Sequence, residues 1–195
     1  AIGRQQIENR LAQGARKLAA AQQVHVEVAE AALKAGAAMI NDVTGLERDD
    51  KLAGVAGRAG VPVVLVSNQR ERPGNYDIMA EVISSLERSI GLALEKGVAT
   101  QNIIVNPGIG FGKSPRQNLT LIHRLAELKV LGKPILLGTS RKFMTGQVPD
   151  RRLEATSATV AIGIAHGVDM VRVHDVGQMV PLCRMSDAII REKTG

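Results

Sequence analysis

The chain has 195 residues, is 45% hydrophobic and carries a formal net charge of +6 at pH 7. No apolar run is long enough to span a bilayer, and the start lacks the charged, apolar and small-residue segments of a secretory signal. The single cysteine, Cys183, excludes an internal disulfide and no Cys/His cluster has zinc spacing, so a cytoplasmic protein without a membrane partner is expected.

The positive charge raises the question of nucleic acid, but the basic residues are scattered and aromatics make up only 2% of the chain, too few for stacking platforms. An anionic small substrate accounts for the excess without a nucleic-acid partner. With so few rings the core must be built from Ala, Val, Ile and Leu, a palette common in parallel sheets flanked by helices.

Residues 1–36, rich in Ala, Gln, Arg and Glu, read as a helical leader of one helix, or of two meeting near Gly14 or the "AAQQ" stretch. Beyond it, five short β-branched runs alternate with longer amphipathic stretches, the pattern of βαβ units. The runs are Ala38–Asp42, Val61–Val66, Ile103–Asn106, Pro134–Gly138 and Met170–His174. Helices are expected near Lys51–Ala59, Ile78–Lys96, Asn118–Leu131, Ala155–His166 and Gly177–Glu192. The fourth run is well delimited, because "VLGKP" places a helix-ending glycine and a proline just before it. Residues 1–195 are read as a single domain without linker or low-complexity tail.

Every run ends in polar residues: "NDVTG", "SNQRE", "NPGIGFGK", "GTSRK" and "RVHDV". A (β/α) barrel builds its active site at that end, and an open doubly wound sheet also binds ligands there, at a switch point. Recurrence at all the strand ends favours the barrel. A full barrel needs eight strands and about 250 residues, so the expectation is an incomplete TIM-barrel type α/β fold with five recognisable strands.

"GTSRK", residues 138–142, gathers a hydroxyl, a guanidinium and an ammonium beyond a strand, a set suited to an anion or an electron-rich ring; a solvated loop is the plainer account. Along "RVHDV" the strand period puts Arg172 and His174 on one side and Val171 and Val173 on the other. An anion between Arg172 and His174 would answer the cost of a buried guanidinium, and so would an ion pair with Asp42 or Asp175. In "NDVTG" only one of two neighbours can face a site: Asn41 fits a ligand hydrogen bond, Asp42 a cap or loop. His25, His123 and His166 fall in helical stretches and read as surface or packing residues. "NPGIGFGK" is not a nucleotide phosphate loop, because Pro107 stands where that motif needs its first glycine.

Taken in order, "INDVTG", "NPGIGFGK", "GTSRK" and "RVHDV" resemble the successive strand-end motifs of the dihydropteroate synthases, folate-pathway enzymes of the pterin-binding barrel family. The resemblance runs from about Glu27 to Ile190. It implies a (β/α) barrel that joins a pterin methyl diphosphate to para-aminobenzoate and releases pyrophosphate, with magnesium present. It further implies that Arg172 and His174 hold the diphosphate with Asn41 nearby, that Lys142 contacts the pterin ring, and that Ser140 and Arg141 lie on the aminobenzoate side. Lys142, Arg172 and His174 become the expected catalytic residues, with Asn41, Asn106 and Gly138 also in the binding set. A relative that takes its methyl group from methyltetrahydrofolate shares the barrel, but "GTSRK" with "RVHDV" favours the synthase.

The sequence also departs from the family. Asn106 stands where an Asp is usual, bringing amide donors toward a donor edge and no charge. "VSN", residues 66–68, replaces Met-His, Phe143 replaces a frequent Ser, and Ala155 replaces a Gly. Counterparts of the family's first strand and loop, which supply an Asn to metal and diphosphate, and of its second strand are missing, and Gln22-Gln23 stand near the place of the third strand's Asp-Thr. No metal ligand is assigned within this sequence. The expectation is a truncated or engineered remnant, or a chain completed by a partner; open sheet edges then predict a homo-oligomer.

Overall fold

A computed structural model describes residues 25–70, 74, 77–142 and 151–191. Residues 1–24 of the expected leader, with Gln22 and Gln23, and Phe143 lie outside the described residues. Contacts divide the chain into two compact units, one of residues up to Asn68 with Ile83–Asn106, the other of Gln69–Val82 with the chain from Pro107 onward.

The first unit is built on a parallel sheet of three strands: β1 (Ile40–Asp42), β2 (Val63–Val66) and β3 (Ile103–Asn106), with β2 in the centre. All of β2 is buried, as a strand covered on both faces should be. It starts two residues later than the sequence suggests; Pro62 has no N–H for a ladder and instead accepts from Ile40 N–H at 3.0 Å. Helix α1 (Val26–Lys34) is the described remainder of the leader. Helix α2 (Lys51–Ala59) buries Leu52, Ala53, Val55 and Ala56 and stops at Gly60. Helix α3 (Ile78–Glu95) places Ser89 so that its hydroxyl donates to Gly45 O at 2.7 Å, tying down the turn after β1.

In the second unit β4 (Leu136–Leu137) pairs in parallel with β5 (Met170–Val171). Both are shorter than the runs Pro134–Gly138 and Met170–His174. Arg172 N–H still reaches Leu137 O at 2.9 Å, but the His174 N–H turns to the Ser140 hydroxyl, which ends the ladder. Helix α4 (Pro115–His123) begins earlier than expected because Ser114 and Gln117 form a reciprocal capping box and Pro115 occupies the first helical turn. The expected helix through Leu131 breaks at Arg124, whose guanidinium is held by Asp77 and Glu127 at 2.9 and 2.7 Å, and continues as a 3₁₀ segment, Leu125–Leu131. Helices α5 (Arg152–Ala165) and α6 (Val176–Arg191) enclose a core of Val160, Ile164 and Met179, joined by Val171 and Val173. The two valines thus take the core side of the strand and its extension, as its period requires, leaving Arg172 and His174 the other side.

The protein is α/β with parallel strands. Among the described residues the five strands form two parallel ladders, β1-β2-β3 and β4-β5. No helix among them is long and apolar enough to cross a membrane.

Candidate active site

The second unit opens with the glycine loop, residues 107–114, which turns through positive φ at Gly108, Gly110 and Gly112. The first of these turns is closed by Phe111 N–H to Gly108 O at 3.0 Å. From α4, Asn118 accepts from Gly110 N–H at 2.8 Å and donates to the carbonyls of Lys113 and Ser114 at 3.1 and 2.9 Å. Gln69 N–H binds Phe111 O at 3.1 Å, so the segment after β2 docks backbone to backbone against the loop. At Gly112 this approach is so close that a Cβ would lie 2.2 Å from Arg70 N.

The loop presents the Phe111 ring to two cations: the Arg70 guanidinium is 5.0 Å and the Lys142 ammonium 4.7 Å from the ring centroid, both cation–π distances. Around the ring lies a cleft of about 380 Å³, with Arg70, Gly110, Phe111, Lys113, Arg141 and Lys142 among its lining. Lys142 also donates to Ile109 O. Burial, reinforced by the charges of Arg172 and Arg70, lowers the Lys142 pKa to about 8. Burial and then Lys142 lower that of Lys113 to about 7 against the opposing pull of Glu81. Cations held this close to one another give the cleft wall a positive potential.

The strand-end residues "GTSRK" and "RVHDV" meet here. Arg172 lies over Gly138, where a Cβ would sit 3.7 Å from its Nε. No acidic side chain among the described residues forms an ion pair with Arg172; Asp175 is taken by Arg141 at 2.7 Å, and Asp42 binds the N–H and hydroxyl of Thr44 at 3.0 and 2.8 Å. The structural pairing considered for Arg172 is therefore made by Arg141 instead. The Arg141–Asp175 pair is half-exposed, holding Arg141 charged and lowering the pKa of Asp175. Ser140 Oγ contacts Nδ1 of His174 at 2.8 Å. The second unit thus brings together Gly138, Ser140, Arg141, Lys142, Arg172 and His174.

Asn41 and Asn106 belong to the first unit. The register pairs Asn41 with Val64, Val64 with Ile104, and Val66 with Asn106, so the two amides project from one face of the sheet. Both are buried, and Asn41 Nδ2 has no hydrogen-bond partner among the described residues. The opposite face takes Asp42, whose carboxylate serves the following turn, as the alternation indicated.

Arg70, Phe111 and Lys113 were not singled out from the sequence. A signal existed for Arg70, a cation in a polar strand end, "SNQRE". None existed for Phe111, whose surroundings arise only when distant loops meet. Among the described residues no group of three or more His, Cys, Asp or Glu side chains could hold a metal ion.

Parallel ladders with polar carboxyl ends, and a cation-walled cleft around one ring, define an α/β protein that gathers basic side chains beyond its strand ends. Residues 22–174 match the model of the family described as pterin binding enzyme. The dihydropteroate synthase of Bacillus subtilis is 45% identical over 169 residues, covering 85% of this chain and 59% of that protein. The crystal structure of the dihydropteroate synthase from Clostridium difficile, obtained in the presence of pteroic acid, matches with a TM-score of 0.81 at 46% identity, covering 86% of this chain and 65% of that one. The Thermus thermophilus enzyme in complex with 6HMPPP matches with a TM-score of 0.79 at 36% identity, covering 86% and 70%. The chain belongs to the pterin binding enzyme family, and these relatives within it are dihydropteroate synthases. It spans 59% of the length of its Bacillus relative and 65% of the Clostridium chain.

Proposed function

We propose that the chain acts as a dihydropteroate synthase-type transferase of folate biosynthesis, condensing a pterin methyl diphosphate with para-aminobenzoate. The reaction breaks the bond between the pterin methylene carbon and the diphosphate oxygen, forms a bond from that carbon to the amine nitrogen of para-aminobenzoate, and releases pyrophosphate and the amine proton. Departure of the diphosphate leaves a cation stabilised by the pterin, so the protein's tasks are to hold the leaving anion and to position the amine.

In this reading Lys142, Arg172 and His174 are the catalytic residues. Arg172 and His174 bind the diphosphate; Lys142 lies against the pterin ring and adds charge where the anion departs. Ser140 and Arg141 stand on the aminobenzoate side, and Gly138 leaves room for Arg172. Asn41 offers its buried Nδ2 to a pterin acceptor, and Asn106 offers its carbonyl oxygen to the pterin amino edge. The observation that carries the reading is the convergence of Lys142 and Arg172 beside the Phe111 cleft with no acidic side chain paired to Arg172 among the described residues. The complexes of the Thermus enzyme with 6HMPPP and with 4-aminobenzoate support the two ligands. The magnesium that the resemblance implies would be held by diphosphate oxygens and water, with no residue of this chain assigned to it.

The same reading makes residues 1–195 one barrel-type domain with a helical leader over 1–36, in a cytoplasmic homo-oligomer. A second reading, a pterin- or phosphate-binding chain or assembly subunit without turnover, is favoured by Asn106, which brings no charge to the pterin edge. Incubation with pterin methyl diphosphate and para-aminobenzoate separates them. The first predicts pyrophosphate release that depends on the amine; binding of the diphosphate without release selects the second.

A further inference from the structure

Lys113 ends the glycine loop and turns back inside it. Its side chain is nearly buried, its Nζ donates to Gly108 O at 3.0 Å, and Phe111 O lies 3.4 Å away. An ammonium taken out of water is costly unless its protons are bonded, and here the bonds run to carbonyls at two positions of one loop. The charged groups that bear on it are Lys142 and, with opposite sign, Glu81, while Arg70 and Arg141 stand on the walls of the same cleft.

We propose that Lys113 is a positioning residue: its Nζ clamps the Gly108 and Phe111 carbonyls and so fixes the loop that presents the Phe111 ring to Arg70, Lys142 and the ligand. Other ties act on the same loop: Phe111 N–H reaches Gly108 O at 3.0 Å, Asn118 holds Gly110, Lys113 and Ser114, and Gln69 N–H reaches the Phe111 carbonyl. Lys113 adds a charged donor shared by the Gly108 and Phe111 carbonyls.

The clamp has a second property. Burial and Lys142 bring the Lys113 pKa to about 7, so its charge changes near neutrality. A neutral amine keeps two donors for two carbonyls, but the bonds lose their charge assistance. The inference deepens the proposed function and depends on it only for the identity of the ligand.

The test is a pH titration of the unmutated, ligand-free chain by lysine-selective ¹³C and backbone amide NMR. A Lys113 signal titrating near neutrality, with the amides of Gly110, Phe111 and Gly112 moving at the same midpoint, is expected. In Lys113→Met that midpoint disappears from the loop amides, and para-aminobenzoate affinity falls about 5–10-fold, the worth of one to two hydrogen bonds. Loop amides that stay flat through the Lys113 titration overturn the clamp, as does a Lys113→Met chain with unchanged loop shifts and affinity. If that variant does not fold, the titration of the unmutated chain decides alone. Failure to bind aminobenzoate while the loop amides follow Lys113 sinks the functional reading and leaves the clamp standing.

Discussion

The Ser140 hydroxyl oxygen lies 2.8 Å from Nδ1 of His174 and accepts a hydrogen bond of 3.1 Å from the His174 backbone N–H. The two contacts hold the imidazole and its backbone to one hydroxyl, so Ser140 positions the His174 ring. Ser140→Ala removes both contacts, so pyrophosphate affinity should fall about 3–10-fold by calorimetry, in line with a lost hydrogen bond. Ser140→Thr, which keeps the hydroxyl, should restore most of it. An unchanged Ser140→Ala variant would separate His174 from anion binding.

Lys142 titrates at about 8 rather than 10.5. It is charged below that pH and neutral above it, so binding of sulfate, whose own charge is constant over this range, should weaken as pH rises through 7 and 8, where Lys113 and then Lys142 lose their protons. Lys142→Met should remove the part of the change near pH 8. Stability has the opposite sign. Lys113 and Lys142 lose their protons near 7 and 8 when folded and at about 10.4 when unfolded. Between those limits the unfolded chain binds more protons, and the folded state gains stability with rising pH. Thermal melts of the ligand-free chain should therefore move upward from pH 7 to pH 9, and less so in Lys113→Met.

Gly112 and Gly132 both hold positive φ, +72° and +60°, yet replacing them should differ in cost. At Gly132 a Cβ meets nothing within 4 Å, so Gly132→Ala should cost about 1 kcal/mol from the left-handed conformation alone. At Gly112 a Cβ would lie 2.2 Å from the backbone nitrogen of Arg70. That contact cannot be relieved by a side-chain rotation, and Gly112→Ala should cost more than about 3 kcal/mol or displace the loop. Denaturant unfolding of both variants measures the difference.

Helix α6 leaves Val180, Met185, Ile189 and Ile190 exposed. An apolar surface of this kind favours association, and light scattering after size exclusion should give a mass above that of one chain. A monomer at micromolar concentration would contradict the expected homo-oligomer.

What the sequence revealed followed the range of the forces involved. Helix Lys51–Ala59 and strand Ile103–Asn106 could be read because their signals, periodicity and a closing glycine or proline, are local. The start of α4 was also local, written in the capping-box residues "SPRQ", and was overlooked in favour of hydrophobic periodicity. Strand ends at Leu137 and Val171 could not be read, since they depend on the Ser140 hydroxyl capturing the His174 N–H across the chain. Lys142, Arg172 and His174 were visible as basic side chains at strand tops. The pairing of Arg141 with Asp175, and the roles of Arg70, Phe111 and Lys113, required the distances between loops.

The central proposal is that Lys142, Arg172 and His174 hold the diphosphate and that Asn41 and Asn106 hydrogen-bond the pterin. Its most direct test is calorimetric titration of pterin methyl diphosphate into the chain, its Arg172→Met variant and its Asn106→Asp variant. Binding is predicted, weakened at least about tenfold by Arg172→Met, and strengthened about 5–10-fold by Asn106→Asp, the gain expected of a charged acceptor. Absence of binding in all three, or binding indifferent to Arg172, would contradict it.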